Sequence, residues 1–254
     1  MILYPEKEET VTFKRCVLKK ESDINWETDD HELGDVLFDN GGIEASDFPV
    51  QIDFANKNFH LSKLSVGATQ EEIICATKPE SFLGICVFDT MGERDCVVIS
   101  DALSISRVSG FGKAFRWEEI RCENEITEEV DLVAIDSCIQ SCYTKDNIIR
   151  DLNKAYLGFK SGRGRVSSGR WGCGVFNNDP ALKFIQQVMA ASVIETTLKL
   201  HWFDKKETEK FDALLKLMKK RQMRVKDVYK MIINANTKKF LESVENTTDG
   251  FKLY

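Results

Sequence analysis

Apolar residues recur along this chain in two periods, and each period predicts a different element. Val50, Ile52 and Phe54 alternate with Gln51 and Asp53, a period of two that predicts a strand with one buried face. A short strand is predicted at Thr10 to Val17, and alternation from Thr197 to Phe203 predicts another. The β-branched run Cys96 to Ser100 and the run Leu132 to Ile135 suit strands buried on both faces. Ile148, Ile149, Leu152, Ala155, Tyr156 and Phe159 fall at helical spacing, so Asp146 to Phe159 reads as an amphipathic helix. Pro180 opens a helix through Ile194, with Leu182, Ile185, Met189 and Val193 on one face, and two amphipathic helices close the chain. Phe82 to Phe88 is apolar enough for a strand or a short helix.

The punctuation between these elements sets one stretch apart. Asn40-Gly41-Gly42 is a turn signal, followed by Ile43-Glu44 and by Pro49 at the entry to the Val50 strand. A polar loop containing Gly67 then leads to Thr69-Gln70-Glu71-Glu72, and Ile73-Ile74-Cys75-Ala76 reads as the first turn of a helix entering a core. A strand delivering Asp53 and Asn56 and a helix start delivering Glu71 and Glu72 meet at one edge of a sheet, where open α/β sheets hold their ligands. The order β, α, β, β, α, β, α predicts a three-layer α/β/α sandwich with a mixed sheet. Without an internal repeat or Pro-rich linker, residues 1–254 read as one domain.

Composition narrows the function classes. A chain of 254 residues that is 43% apolar can bury one sizeable core. No apolar run reaches the length of a membrane span, and the N-terminus lacks the form of a signal peptide. The eight cysteines have neither metal-site spacing nor a C-x-x-C motif, and Cys75, Cys86 and Cys96 sit in apolar runs as expected of reduced core thiols. With three histidines in addition, a structural zinc site is not expected, and the chain reads as intracellular, cytoplasmic or nuclear. A net charge of −6 argues against general duplex nucleic-acid binding, which needs a basic field.

A polyanion can still be held by local donors. Lys160, Arg163, Arg165 and Arg170 form a basic cluster within the Gly- and Ser-rich stretch Ser161 to Phe176. Small residues there let backbone N–H groups approach a phosphate, although a solvated surface loop has the same composition.

Glu-Glu doublets occur at Glu8-Glu9, Glu71-Glu72, Glu118-Glu119 and Glu128-Glu129, so a doublet alone identifies nothing. Acidic residues also favour helix N-termini through the dipole. Asp53-Phe54-Ala55-Asn56, a loop, and then Gln70-Glu71-Glu72-Ile73 together resemble the signature of the poly(ADP-ribose) glycohydrolases. Further segments follow the same family in the same order: Val11 to Arg15, Asn25-Trp26-Glu27, Ser109 to Trp117, Asp151 to Phe159, Trp171 to Gly174 and Val225 to Lys230. The resemblance implies a macrodomain in its compact form, without the helical accessory region of the animal enzymes. It implies no cofactor and no metal, with poly(ADP-ribose) or ADP-ribosylated proteins as partners and a monomeric state.

By the same resemblance Glu72 is the general acid that protonates the departing ribose oxygen and then the base that activates water. Glu71 and Asn56 hold the ribose hydroxyls, with Asp53 supporting them and Gln70 beside them on the substrate. Ile43 and Glu44 fall where the family reads the adenine edge, Phe203 where adenine stacks, and Phe176 beside the distal ribose. Phe111 replaces a family tyrosine near the adenine and phosphates. Read from its position alone, at the end of a strand, Phe203 is a core residue.

Neighbouring helical side chains point about 100° apart, so Glu71 and Glu72 cannot flank one bond as a facing pair, and their roles must differ. A helix N-terminus stabilises a carboxylate, whereas a general acid must keep its proton near neutrality. Apolar surroundings and the charges of Glu71 and Asp53 are expected to push Glu72 upward. One departure bears on activity: the family has three glycines where this chain has His60-Leu61-Ser62. Added Cβ atoms hinder close approach of backbone donors to a diphosphate, with His60 or Arg170 as sources of compensating charge. Two readings follow: a glycohydrolase cleaving ribose–ribose bonds, or a weakened or inactive ADP-ribose-binding module.

Overall fold

The computed structural model describes residues 10–19, 24–59, 68–120, 129–139 and 141–234. His60-Leu61-Ser62 and Gly67 lie outside the described residues.

Nine strands and six α-helices occur among the described residues: β1 (Thr12–Val17), β2 (Val36–Asp39), β3 (Val50–Asp53), α1 (Gln70–Thr77), α2 (Gly84–Val87), β4 (Asp95–Leu103), β5 (Ser106–Ser109), β6 (Arg116–Ile120), β7 (Glu129–Ala134), α3 (Lys145–Ser161), β8 (Val166–Gly169), α4 (Pro180–Val193), β9 (Leu198–His201), α5 (Lys205–Lys220) and α6 (Val225–Ile232). Seven strands form one sheet in the order β1-β4-β7-β3-β8-β9-β2, and β5 pairs with β6 separately. The β1–β4 and β4–β7 pairs are antiparallel, while β7, β3, β8, β9 and β2 run parallel, so the sheet is mixed as the element order predicts.

Side-chain alternation divides the core into two layers. Val50, Ile52, Cys96, Val98, Val133, Val166, Leu198 and Leu200 face the large cluster built with α3, α4, α5 and α6. Val97, Ile99, Leu132 and Ala134 face the other way, onto Ile74 of α1 and Met91. Helices therefore cover both faces and give the expected three layers. The second layer is apolar only over β4 and β7. Over β3, β8 and β9 the residues in the same phase are Gln51, Asp53, Ser167, Lys199 and His201.

Local chemistry fixes the helix starts. Thr144 accepts the Asn147 N–H at 3.3 Å and caps α3. Asp179 accepts the Leu182 N–H at 2.7 Å, one residue before Pro180 begins α4.

Several elements differ from the sequence pattern. The β3 strand is buried on both faces, because a 3₁₀ turn at Ile43–Ala45 and α1 cover the side where Gln51 and Asp53 point. The Phe82–Phe88 run resolves into a 3₁₀ turn at Pro79–Leu83 followed by α2. The predicted last strand stops at His201, leaving Trp202 buried and Phe203 outside. Cys75 and Cys96 are buried thiols as expected, whereas Cys86 is exposed because α2 lies on the surface. Strands β2, β5, β6 and β8 carry no clear period of their own and are additions to the predicted order.

Candidate active site

The parallel strands β3, β8, β9 and β2 all end at one edge of the sheet, with Asp53, Gly169, His201 and Asp39 as their last residues. This is the edge where the sequence places a ligand site. The head of α1 is joined to it by a clamp. The Gln70 side chain donates from Nε2 to the Ile52 carbonyl at 2.8 Å and accepts the Phe54 N–H through Oε1 at 2.8 Å. It thus substitutes for a neighbouring strand just where β3 runs out of partners.

A capping box then orders the first turn of α1. Thr69 Oγ1 accepts the Glu72 N–H at 3.4 Å, and Glu72 Oε2 accepts the Thr69 N–H at 2.8 Å. Only Oε2 of Glu72 takes part in the cap, so the carboxyl is oriented while Oε1 stays outside it.

Glu71 turns into the fold instead. Burial first, then the Asp53 charge and least the Glu72 charge, push its carboxyl up to about 9, with the Asn56 N–H pulling it down. Asp53 is 4% exposed, its Oδ1 has no hydrogen-bond partner among the described residues, and burial pushes it up to about 7. Burial thus pushes both Glu71 and Asp53 upward. The site therefore holds Glu71 as a protonated carboxyl at neutrality, Asp53 buried beside it, and Glu72 ordering the helix start.

A polar layer beneath the 3₁₀ turn extends the site toward β9. His201 hydrogen-bonds the Gly41 carbonyl through Nδ1 at 3.0 Å and Ser167 Oγ through Nε2 at 3.4 Å. Ser167 in turn contacts Ser46 Oγ, and Gln51 Nε2 donates to the Ser46 carbonyl at 3.4 Å. Burial holds His201 below the usual histidine value. Burial also raises Glu44, while the Lys78 charge pulls it down. Neither His201 nor Ser167 is a candidate on motif grounds, but their phase opposite Leu198, Leu200 and Val166 places them on this face.

A family comparison fits this arrangement of strand end and helix start. Residues 24–210, well over half of the chain, match the family model described as poly(ADP-ribose) glycohydrolase, macro domain fold. The chain belongs to the poly(ADP-ribose) glycohydrolase family. It is 30% identical over 254 residues to Poly(ADP-ribose) glycohydrolase 1 of Caenorhabditis elegans, covering 88% of this chain and 32% of that protein. It is 29% identical to Poly(ADP-ribose) glycohydrolase 2 of the same organism, covering 89% of this chain and 52% of that one. The chain thus spans a third to a half of the length of these curated relatives. A solved poly(ADP-ribose) glycohydrolase from Thermomonospora curvata aligns at a TM-score of 0.49 and 15% identity, covering 74% of this chain and 77% of that one.

Within this family frame the aromatic candidates divide. Phe203 is 62% exposed at the end of β9, so its position in the structure is not that of a core residue. Phe111 is 53% exposed, and its neighbour Gly112 donates its N–H to the Ala68 carbonyl at 3.2 Å, which ties the β5–β6 hairpin to the entry of α1. Phe176 is half-buried in the loop after β8, Ile43 is buried, and Asn56 is half-buried with its side chain accepting the Asn58 N–H at 3.0 Å.

The basic cluster is not assembled. Arg163 pairs with Asp131 at 2.7 Å and Asp101 at 2.6 Å, Arg165 lies over the Phe48 ring at 4.2 Å, and Lys160 donates to the Tyr156 hydroxyl at 2.9 Å. Arg163 and Arg165 precede β8 and so lie at the opposite edge of the parallel strands from Asp53. Arg170 does follow β8 at the site edge, but it pairs with Glu207 and lies 5.1 Å from the centre of the Trp202 ring. The Gly- and Ser-rich stretch is interrupted by β8, and only its second half, from Arg170 onward, reaches the site. There Gly172 has φ +74°, and a Cβ would meet Ser137 Oγ at 2.3 Å.

Proposed function

We propose that the chain hydrolyses the ribose–ribose O-glycosidic bonds of poly(ADP-ribose) and releases ADP-ribose. The observation that carries this reading is the meeting of Asp53, at the end of β3, with Glu71 and Glu72 at the head of α1.

On this reading Glu72 performs the proton transfer. Its capping contact through Oε2 fixes the carboxyl, and Oε1 gives a proton to the departing ribose oxygen as the glycosidic bond breaks. The same oxygen then takes a proton from the water that attacks the oxocarbenium-like carbon. Glu71, neutral near pH 7, donates a hydrogen bond to a ribose hydroxyl, with Asn56 on the same sugar. Asp53 acts through Glu71, by keeping its proton in place. Gln70 positions the helix start through the β3 backbone. Ile43 and Glu44 read the adenine edge, Phe203 stacks on the base, Phe111 lies near the adenine and phosphates, Phe176 borders the distal ribose, and Arg170 supplies charge near it. Residues 1–254 act as one macrodomain, an intracellular monomer whose partners are the polymer or ADP-ribosylated proteins.

The test is release of ADP-ribose from labelled polymer by the purified protein, alongside calorimetry with ADP-ribose. Turnover that disappears in Glu72→Gln supports the reading, and turnover that survives it refutes the role of Glu72.

His60-Leu61-Ser62, in place of three glycines, favours a second reading, an ADP-ribose-binding module. Restoring glycine at all three positions distinguishes the two. Higher turnover and affinity in the triple variant support a hindered enzyme, and an inert parent with an inert variant supports the module.

A further inference from the structure

Away from the proposed site, β1 is, among the described residues, an edge strand paired with β4. Their antiparallel register sets Cys16 directly opposite Cys96. Directly opposite residues of an antiparallel pair have Cα atoms about 4.5–5.5 Å apart, within the span a disulfide bridges. Both side chains point to the layer of α3, where the Cys96 thiol lies 3.6 Å from Ser161 Oγ at the end of that helix. Cys96 is buried and Cys16 half-buried, so Cys16 is the more accessible member of the pair.

We propose that Cys16 and Cys96 form a peroxide-responsive thiol pair, with Cys16 as the reacting sulfur and Cys96 as the resolving one, closing a reversible cross-strand disulfide between β1 and β4. The electrostatics agree with these roles. The Cys16 thiol is lowered to about 6, first by the Cys96 thiol and also by Ser161 and the Lys14 ammonium, against a raising effect of burial. Cys96 is raised, first by Cys16 and then by burial, with Ser161 and the Lys154 charge opposing. A thiolate is the form that peroxide attacks.

The chemistry balances with hydrogen peroxide as oxidant. The Cys16 thiolate sulfur attacks one peroxide oxygen, the O–O bond breaks, and hydroxide leaves and takes a proton to become water, giving a sulfenic acid. The Cys96 sulfur then attacks the Cys16 sulfur, forming the S–S bond as the S–O bond breaks. The departing hydroxide takes the Cys96 proton and leaves as the second water. An edge strand can shift to accept the bond, and any departure from ideal disulfide geometry makes the bond easier to reduce.

The experiment treats the reduced protein, residues 1–254, with hydrogen peroxide, alkylates the remaining thiols and maps the peptides by mass spectrometry. The expected result is a Cys16–Cys96 cross-linked pair lighter by two hydrogens and restored to two alkylatable thiols by a reductant. In Cys96→Ser, a cyclic diketone is expected to trap a sulfenic acid at Cys16. The proposal is overturned if Cys16 and Cys96 both remain alkylatable while another cysteine, such as exposed Cys86, takes up the oxidation.

Discussion

Glu71, in the first turn of α1, lies in the field of Asp53, the last residue of β3, and holds its proton up to about 9. The relationship depends on the Gln70 clamp, which joins the helix to the strand end through two backbone hydrogen bonds. Adjacent residues of one helix turn are thereby given different chemical states. Glu72 caps the helix as an acceptor, and Glu71 enters the buried side as a neutral carboxyl.

Glu72→Gln is therefore expected to abolish release of ADP-ribose from polymer while leaving ADP-ribose affinity within a few-fold. An amide keeps the acceptor that caps Thr69, so the variant should fold. Glu71→Gln keeps a hydrogen-bond donor and should retain more turnover than Glu72→Gln. Parallel single-turnover assays on the two variants decide the assignment, and the reverse ranking would move the acid role to Glu71.

The raised carboxyls also predict how stability varies with pH. Glu71 ionises near 4.5 when unfolded but near 9 when folded, so the native state holds an extra proton between those values. Stability must then fall as pH rises from about 5 to about 9, and Asp53 adds to the fall up to about 7. Glu71→Gln removes its share of that dependence. The variant should gain stability relative to the parent at alkaline pH, by on the order of a few kcal/mol, and little near pH 5. Urea unfolding at the two pH values measures this, and parallel curves for parent and variant would contradict it.

How much of this was legible depended on whether a strand carries its own pattern. β3, β4, β7 and β9 are visible because Val, Ile and Leu recur in them, and α3 and α4 because apolar residues return on one helical face. β8 is not visible: Val166-Ser167-Ser168-Gly169 reads as loop, yet all four residues are buried between β3 and β9. Gly169 is needed because a Cβ there would meet the His201 carbonyl oxygen at 2.6 Å. The basic cluster misled for the same reason, since β8 separates Arg163 and Arg165 from Arg170 by the length of the strand. The meeting of Asp53 and Asn56 with Glu71 and Glu72 is legible in a strand end followed by a helix start. The upward push on Glu71 is not, because burial and the Asp53 charge act through space.

Exposure of Phe203 makes its role testable without a folding penalty. Phe203→Ala should weaken ADP-ribose binding by roughly 1–3 kcal/mol, the range for losing one base-stacking platform, with an unchanged melting temperature. Calorimetry with ADP-ribose and a thermal melt on the same sample check both. Unaltered affinity would remove Phe203 from the site.

Gln70→Leu tests the clamp. The substitution leaves the Ile52 carbonyl and the Phe54 N–H without their partner, which should reduce stability by roughly 1–3 kcal/mol. Turnover should fall by more than the loss of folded protein accounts for, because the head of α1 is no longer held to β3. A variant that is destabilised but as active per folded molecule as the parent would show that the clamp serves folding alone.

A network of buried charges packs behind the site. Asp151, on α3, is fully buried and pairs with Lys183 of α4, while its Oδ1 accepts from Arg150 at 2.7 Å and from the Cys138 N–H at 3.1 Å. Lys183 also lies 4.1 Å from the centre of the Trp171 ring, and Trp171 donates through Nε1 to the Ile135 carbonyl at 3.1 Å. The network thus joins both helices to the end of β7 and to the loop carrying Gly172. Burial pushes Asp151 upward, but Lys183 and Arg150 together outweigh it and hold the carboxyl below its usual range. Removing one partner of a buried ion pair leaves the other charge uncompensated, at a cost of roughly 3–5 kcal/mol. Asp151→Asn should therefore lower the denaturation midpoint steeply. Replacing both partners, Asp151→Asn with Lys183→Met, removes the stranded ammonium and should recover much of the loss, since apolar replacement of a whole buried pair is often close to neutral. Urea denaturation of the parent, the single variant and the double variant measures the difference, and a double variant no more stable than the single one would show that the Asp151 contacts to Arg150 and Cys138 carry the effect instead.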